Sequence, residues 1–112
     1  MNFPLDDDGH VLRRMAEHGF DFTVPAIIDF NIDFDHWPLS DAEMARIRGA
    51  FPNAGAIDPD EEDLEMGNQL GYVAFQVRAL VTHELVVKIQ QRASVLTKDI
   101  GGVCESWGVW QK

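Results

Sequence analysis

Strict alternation between apolar and polar side chains over residues 28–35 constrains the fold of this chain more than any other feature. The apolar parity consists of Ile28, Phe30, Ile32 and Phe34, and the polar parity consists of Asp29, Asn31, Asp33 and Asp35. Successive side chains of a β-strand point to opposite faces of its sheet. The pattern therefore predicts a strand within residues 24–35 that buries one face and leaves the other face polar.

A second alternation, over residues 71–81, predicts another half-buried strand. Its polar parity holds Tyr72, Gln76 and Arg78. Residues 54–57 and 103–110 are shorter strand candidates. Residues 58–65 lie between the strand candidates at 54–57 and 71–81. They carry six acidic side chains in eight positions and are expected to form a solvated loop.

Helical patterns separate these strands. Apolar residues recur at three-to-four spacing in residues 8–18, behind an acidic run whose carboxylates suit the positive end of a helix dipole. Ser40 and Glu43 fit a capping box, which predicts a helix over residues 41–50. The last helix is expected to begin after Thr82 and to end at a pair of glycines.

The order of these elements predicts the fold class. After the first helix, the chain reads strand, helix, strand, strand, helix, strand, which is the βαββαβ arrangement of the ferredoxin-like fold. We therefore predict a single α+β domain over residues 1–112, a two-layer sandwich in which an antiparallel four-stranded sheet carries its helices on one face. The extra N-terminal helix is added to that unit.

Composition narrows the function. The chain has 19 Asp and Glu against 9 Lys and Arg, a formal net charge of −10, and a sequence pI of about 4.5. That balance argues against binding to nucleic acid, whose phosphates require basic surfaces. No apolar run approaches the roughly 20 residues of a membrane span, and the N-terminus lacks the apolar core of a signal peptide. A single cysteine, Cys104, excludes an internal disulfide and favours the cytoplasm.

The uncovered face of a two-layer sandwich is the candidate binding surface. On the first strand that face carries Asp29, Asn31, Asp33 and Asp35. Because this field attracts a basic protein surface, we expect a protein partner of opposite charge. Arg78, Glu105 and Trp107 are added as further candidate contact residues, since tryptophans often anchor interfaces. A monomer is favoured because two copies pairing by this face would oppose like charges, although a homodimer stays open.

Residues that could carry a reaction are sparse. The four histidines fit no metal-ligand spacing, and a lone cysteine does not build a thiolate zinc site. His83 stands at the start of the last helix without an identifiable catalytic partner. No phosphate-binding glycine loop or nucleophile motif is present. The chain is therefore expected to be non-enzymatic, with no cofactor and no metal.

Five short motifs occur in the order Asp6-Asp7-Asp8-Gly9, Ile28-Asp29-Phe30, Thr82-His83, Gly101-Gly102 and Trp107-Gly108. In that order they resemble the RraB family of regulators of ribonuclease activity. The resemblance implies a ferredoxin-like sandwich and a non-enzymatic role, namely binding endoribonuclease E at its scaffold region and lowering its activity. Glu105-Ser106-Trp107-Gly108 departs from the family's usual Asp-Gly-Trp-Gly, and no long acidic tail follows in this sequence.

Two other functions remain open on the sequence. An immunity or antitoxin-like protein that neutralises another nuclease would present the same acidic surface to a basic cleft. A small-molecule-sensing domain of the ferredoxin-like fold is the second alternative, and ligand-induced stabilisation would reveal it.

Overall fold

The computed structural model describes residues 4–109, and it contains four helices and four strands in that range. In chain order these are α1 (Asp7–Glu17), β1 (Ala26–Phe34), α2 (Asp41–Ala50), β2 (Gly55–Ile57), α3 (Glu61–Glu65), β3 (Tyr72–Ala79), α4 (His83–Thr97) and β4 (Gly102–Val109). Trp110, which the sequence placed in the last strand, lies outside the described residues.

The four strands form one antiparallel sheet in the order β2-β3-β1-β4. Strands β3 and β4 lie on either side of β1. Helices α2 and α4 pack on one face, and α1 packs beside α4. The predicted α+β two-layer sandwich with an extra N-terminal helix is therefore confirmed.

Capping residues fix the starts of the helices. In the predicted capping box of α2, Ser40 Oγ accepts a hydrogen bond from the Glu43 N–H at 3.1 Å, and Glu43 Oε1 accepts from the Ser40 N–H at 2.8 Å. Thr82 Oγ1 accepts from the Leu85 N–H at 3.1 Å. Each contact satisfies a backbone donor that the first turn of a helix leaves unpaired.

The core lies between the sheet and the helices. The apolar parity of β1 is buried there together with Val73 and Phe75 of β3, Ile47 of α2 and Val86 of α4. Phe75 stacks on Phe30 with ring centroids 5.3 Å apart, and on Phe51 at 4.0 Å. Burying a side chain of this size contributes about 1.5–3 kcal/mol. The apolar residues of the alternation in β1 therefore face the core, and the polar residues face the opposite side of the sheet.

The acidic segment of residues 58–65 is not entirely a loop, as the sequence analysis expected. It contains the five-residue helix α3, because Asp60 and Asp63 form a second capping box. Asp60 Oδ1 accepts from the Asp63 N–H at 2.8 Å, and Asp63 Oδ2 accepts from the Asp60 N–H at 3.2 Å. The segment is nevertheless largely exposed to solvent, which agrees with its charge.

The last helix ends in a tighter turn than its sequence pattern predicted. After Thr97 the chain makes one turn of 3-10 helix (Lys98–Ile100) and then a left-handed residue, Gly101, with φ of 79°. A Cβ atom at Gly101 would collide with the carboxylate of Asp35. The glycine is required by its backbone angle, since the exposed Asp35 side chain could move aside.

None of the helices within residues 4–109 combines the length and the apolarity needed to cross a lipid bilayer.

Candidate functional site

The face of the sheet that α2 and α4 leave uncovered is the candidate functional site, and we call it the open face. Its central rows are Ile27, Asp29, Asn31 and Asp33 on β1, directly opposite Arg78, Gln76, Ala74 and Tyr72 on β3. On the other side of β1 it continues through Gly108, Ser106 and Val103 of β4. Of the sequence candidates, the structure therefore brings Asp29, Asn31, Asp33 and Arg78 together on one surface.

Cross-strand hydrogen bonds order most of the polar side chains of the open face. Gln76 Nε2 donates to Asp29 Oδ1 at 2.8 Å, and Asn31 Nδ2 donates to Ser106 Oγ at 3.2 Å. Asp33 differs, because its carboxylate makes no side-chain hydrogen bond within residues 4–109 and is exposed to solvent. The open face thus presents one carboxylate held by a neighbour and one that is available.

The charge of the open face is negative. Among the residues that the register places on it, Asp29 and Asp33 are the acids and Arg78 is the base, at the opposite end of β3 from Tyr72. Most of the other basic side chains lie on the helices, where Arg46 pairs with Asp99 at 2.7 Å and Arg92 lies 5.5 Å from the Phe51 ring centroid. The field of the open face therefore favours a basic partner.

Asp35 lies one residue beyond β1, and its side chain contacts a histidine rather than the open face. Its Oδ1 lies 2.8 Å from His36 Nδ1, and His36 Nε2 lies 2.9 Å from Glu43 Oε2 of α2. These hydrogen bonds, that of Asp35 first, raise the pKa of His36 above its ordinary value of 6.5. The three side chains join the end of β1 to the start of α2.

Glu105 and Trp107 are separated from the open face by a register shift. Asn31 pairs with Ser106 but Ile32 pairs with Cys104, so Glu105 is the extra residue of a β-bulge. Trp107 is opposite Phe30, on the core side of the sheet, and its Nε1 donates to Asp8 Oδ1 at 2.9 Å. Trp107 therefore ties β4 to the start of α1.

Glu105 lines a groove on the helical side of β4. Asp7 and Asp8 of α1 and Gln90 of α4 line the same groove. Gln90 Nε2 donates to Asp8 Oδ2 at 3.2 Å and to the Val86 carbonyl at 3.1 Å. The seven sequence candidates thus divide into four on the open face, Asp35 in its turn, Glu105 in this groove and Trp107 on the core side of the sheet.

A side chain binds the backbone groups of one residue near each edge of the sheet. Beyond the end of β2, Asn53 Nδ2 donates to the Gln76 carbonyl at 2.9 Å and Asn53 Oδ1 accepts from the Gln76 N–H at 3.1 Å. On β4, Ser94 Oγ accepts from the Cys104 N–H at 2.9 Å and lies 3.4 Å from its carbonyl oxygen. Edge strands invite the addition of another strand, and these contacts oppose it.

A cavity of about 390 Å³ opens at the end of the open face beside Asp33, and we call it the end cavity. Its walls include Asp33 of β1, Tyr72 of β3, and Asp58, Pro59, Asp63 and Leu70 of the connecting segment. Sequence reasoning missed this site because it treated that segment as a solvated loop. The signal that could have found it is the capping-box spacing of Asp60 and Asp63.

Cys104 and His83, the residues that most resemble reactive groups, are held in contacts that support the fold. Cys104 is buried, and desolvation, with smaller effects of Asp33, Asp8 and Glu105, raises the pKa of its thiol to about 12. His83 Nε2 lies 2.8 Å from Asp6 Oδ2, a contact between α4 and the cap of α1. Within the described part of the chain, no three His, Cys, Asp or Glu side chains are placed to hold a metal ion.

Comparison with known proteins agrees with the resemblance seen in the sequence. The model of the RraB family, described as regulator of ribonuclease activity B, matches residues 5–109. The match includes every described element and all seven candidate residues. A search of individual curated proteins gave no match.

Proposed function

Because this chain belongs to the RraB family of regulators of ribonuclease activity, we propose that it binds an endoribonuclease of the ribonuclease E type and lowers its activity. The chain acts in this proposal as a protein ligand of the enzyme. The same role favours a cytoplasmic location, where RNA is processed and a single reduced cysteine is common.

The observation that carries the proposal is the open face. It is a broad, uncovered surface with the carboxylates of Asp29 and Asp33 on its central strand and a single base, Arg78, within the described rows. A negative field of this kind raises the rate of association with a basic protein surface. It also repels RNA, so the chain would reach the enzyme rather than its substrate.

The occupied edges support a side-chain interface. Asn53 and Ser94 already bind the backbone of Gln76 and Cys104, so a partner strand that paired at those two positions would have to displace them. The partner in this proposal therefore contacts the side chains of the open face. Like charges on two copies would oppose face-to-face pairing, which favours a monomer in the free state.

Binding to purified ribonuclease E, with its scaffold region included, tests the proposal. The chain is immobilised, and equilibrium binding and RNA cleavage are measured while ionic strength rises from about 0.1 M to about 1 M, which shortens the Debye length from about 10 Å to about 3 Å. We expect saturable binding and slower cleavage at low salt, both weakening as salt rises. Absence of binding at low salt would contradict the proposed function, and binding that is insensitive to salt would contradict its electrostatic basis.

The family match supports this function over the alternative of an immunity protein for another nuclease. The match extends over nearly the whole chain, residues 5–109. In the same binding assay, a colicin-type nuclease serves as the comparison enzyme. We expect no inhibition of that nuclease at concentrations that inhibit ribonuclease E.

A further inference from the structure

The end cavity joins an aromatic ring to an available carboxylate. Asp33 and Tyr72 are direct cross-strand partners on the open face. The N–H and carbonyl of Gln76 bind Asn53 on the side away from β1, so the Asp29–Gln76 pair has no backbone hydrogen bonds between its members. The Asp33–Tyr72 pair has the same parity, and side chains approach most closely in pairs of this kind.

Both members of this pair are accessible. Tyr72 is 37% exposed, and Asp33 is exposed as well. Neither side chain makes a hydrogen bond within residues 4–109, whereas Asp29, Asn31 and Asp35 all do. The ring and the carboxylate are therefore available to a ligand without breaking an internal contact.

The remaining walls of the end cavity are held in position. Trp37 Nε1 donates to Asp58 Oδ1 at 2.9 Å, and Asp63 Oδ2 accepts from the Asp60 N–H at 3.2 Å. Each of these carboxylates keeps its second oxygen out of those bonds. Leu70, 41% exposed, and Pro59 supply apolar surface between the acids. The wall is thus preorganised, mixed in polarity and negative.

We propose that the end cavity takes an arginine side chain from a protein partner, an inference that rests on the proposed function and names the chemistry of the partner surface. Charge complementarity favours a cation, since three carboxylates line the cavity. They are not placed together as metal ligands, which favours an organic cation over a metal ion. A guanidinium is planar, stacks on an aromatic ring and forms two parallel hydrogen bonds to a carboxylate, while its methylene stem covers apolar surface.

The geometry assigns a role to each wall. The guanidinium lies against the Tyr72 ring and donates to Asp33, and the stem contacts Leu70 and Pro59. Asp58 and Asp63 add negative charge at the cavity wall. A lysine ammonium, which is compact and strongly hydrated, gains less from the ring and loses more water on entry.

A peptide titration tests this inference without the ribonuclease. The full chain is labelled with 15N and titrated with the capped pentapeptide Gly-Ser-Arg-Ser-Gly, and with the same peptide carrying citrulline or lysine in place of arginine. We expect saturable shifts of the amides of residues 33, 58, 60–64 and 70–72 with the arginine peptide, and affinity about tenfold weaker for citrulline, which has the same shape without the charge. Equal affinity for all three peptides, or shifts elsewhere on the surface, would overturn the proposal.

Three variants locate the site. Asp33→Asn and Tyr72→Leu are expected to weaken arginine-peptide binding about tenfold each, and Asp29→Asn, on the same strand outside the cavity, is the matched control with little effect. The fold of each variant is checked by its amide spectrum, and these surface changes leave the core intact. Equal losses in Asp33→Asn and Asp29→Asn would show a general charge effect and overturn the cavity site.

The outcomes also separate the two proposals. If the arginine peptide binds but ribonuclease E does not, the end cavity stands and the proposed function fails. If ribonuclease E binds and Asp33→Asn and Tyr72→Leu leave its affinity unchanged, the proposed function stands and the cavity is not where the partner's arginine enters.

Discussion

Asn53 binds both backbone groups of Gln76, with bonds of 2.9 and 3.1 Å, and so takes the place of a further strand residue at the edge of β3. Asn53 stands just before β2, which has only three residues and ends its pairing with β3 at Ala74. The Asn53 side chain thus continues, by one position, the hydrogen bonding of the short strand β2 to β3. Ser94 does the same for Cys104 on the opposite edge. One backbone position near each edge of the sheet is thereby occupied.

Removing both edge contacts should promote self-association. In the double variant Asn53→Ala/Ser94→Ala, the freed backbone groups of Gln76 and Cys104 become available to another chain. We expect unfolding free energy to fall by about 1 kcal/mol for each site and sedimentation to become concentration-dependent. Asn68→Ala, which removes a bond within one turn, is the control and should stay monomeric. A double variant that remains monomeric at high concentration would contradict this role of the edges.

Stability should decrease as the pH rises through the titration of His36. Its folded-state pKa is raised above 6.5 by the carboxylates of Asp35 and Glu43. Protonation of His36 therefore stabilises the fold. The whole of this stabilisation is present below pH 6.5, and it is lost as the pH rises through the raised pKa. We expect the urea concentration at the midpoint of unfolding to decrease as the pH rises from about 6 to about 8.

Replacing His36 by glutamine should flatten that pH dependence. The matched control is His18→Gln, because His18 is exposed at the end of α1 and, within residues 4–109, its side chain hydrogen-bonds only the Arg14 carbonyl. The control is expected to keep the wild-type slope. A His36→Gln protein that keeps the slope as well would show that another group carries it.

Cys104 should be inert in the folded protein. The side chain is 4% exposed and the pKa of its thiol is raised to about 12, so the thiolate is scarce at neutral pH. We expect a thiol-reactive disulfide reagent at about pH 8 to modify Cys104 only at the rate of unfolding. Addition of guanidinium chloride should restore a full, rapid reaction. Rapid stoichiometric labelling without denaturant would contradict the buried environment.

Changing Trp107 to phenylalanine should affect stability more than binding. The substitution keeps an aromatic ring on the core side of β4 but removes the Nε1 donor to Asp8. We expect a loss of about 1 kcal/mol in the free energy of unfolding, measured by urea titration. Affinity for ribonuclease E should be unchanged within about twofold. A large loss of affinity with unchanged stability would place Trp107 in the interface.

The sequence predicted the elements whose own residues specify them. The alternation in β1 and the Ser40–Glu43 capping box are local patterns, so periodicity and side-chain chemistry were sufficient. The short helix α3 was missed because its acidic composition outweighed the spacing of Asp60 and Asp63, which is the local signal for its start. Composition describes exposure, and the segment is indeed exposed.

The arrangement of the candidate site depended on register, which a single sequence does not state. A bulge at Glu105 shifts the pairing of β4, so counting parity along that strand did not reveal which face Trp107 occupies. Similarly, Asp35 continues the polar parity of β1, but its contact with His36 forms only once α2 returns to the sheet. The pairing of β3 with β1 also places Tyr72 opposite Asp33, although the two residues are far apart in the sequence.

The central claim is that the carboxylates of the open face bind the ribonuclease. The most direct measurement is the affinity of Asp29→Asn/Asp33→Asn for ribonuclease E, beside Glu17→Gln/Asp41→Asn, which removes the same charge from exposed positions on α1 and α2. The midpoint temperature of thermal unfolding is first shown to be the same for both variants as for the wild-type protein. We predict an affinity at least about tenfold weaker for the open-face variant and near the wild-type value for the helical one. Equal affinities in the two variants would contradict the claim.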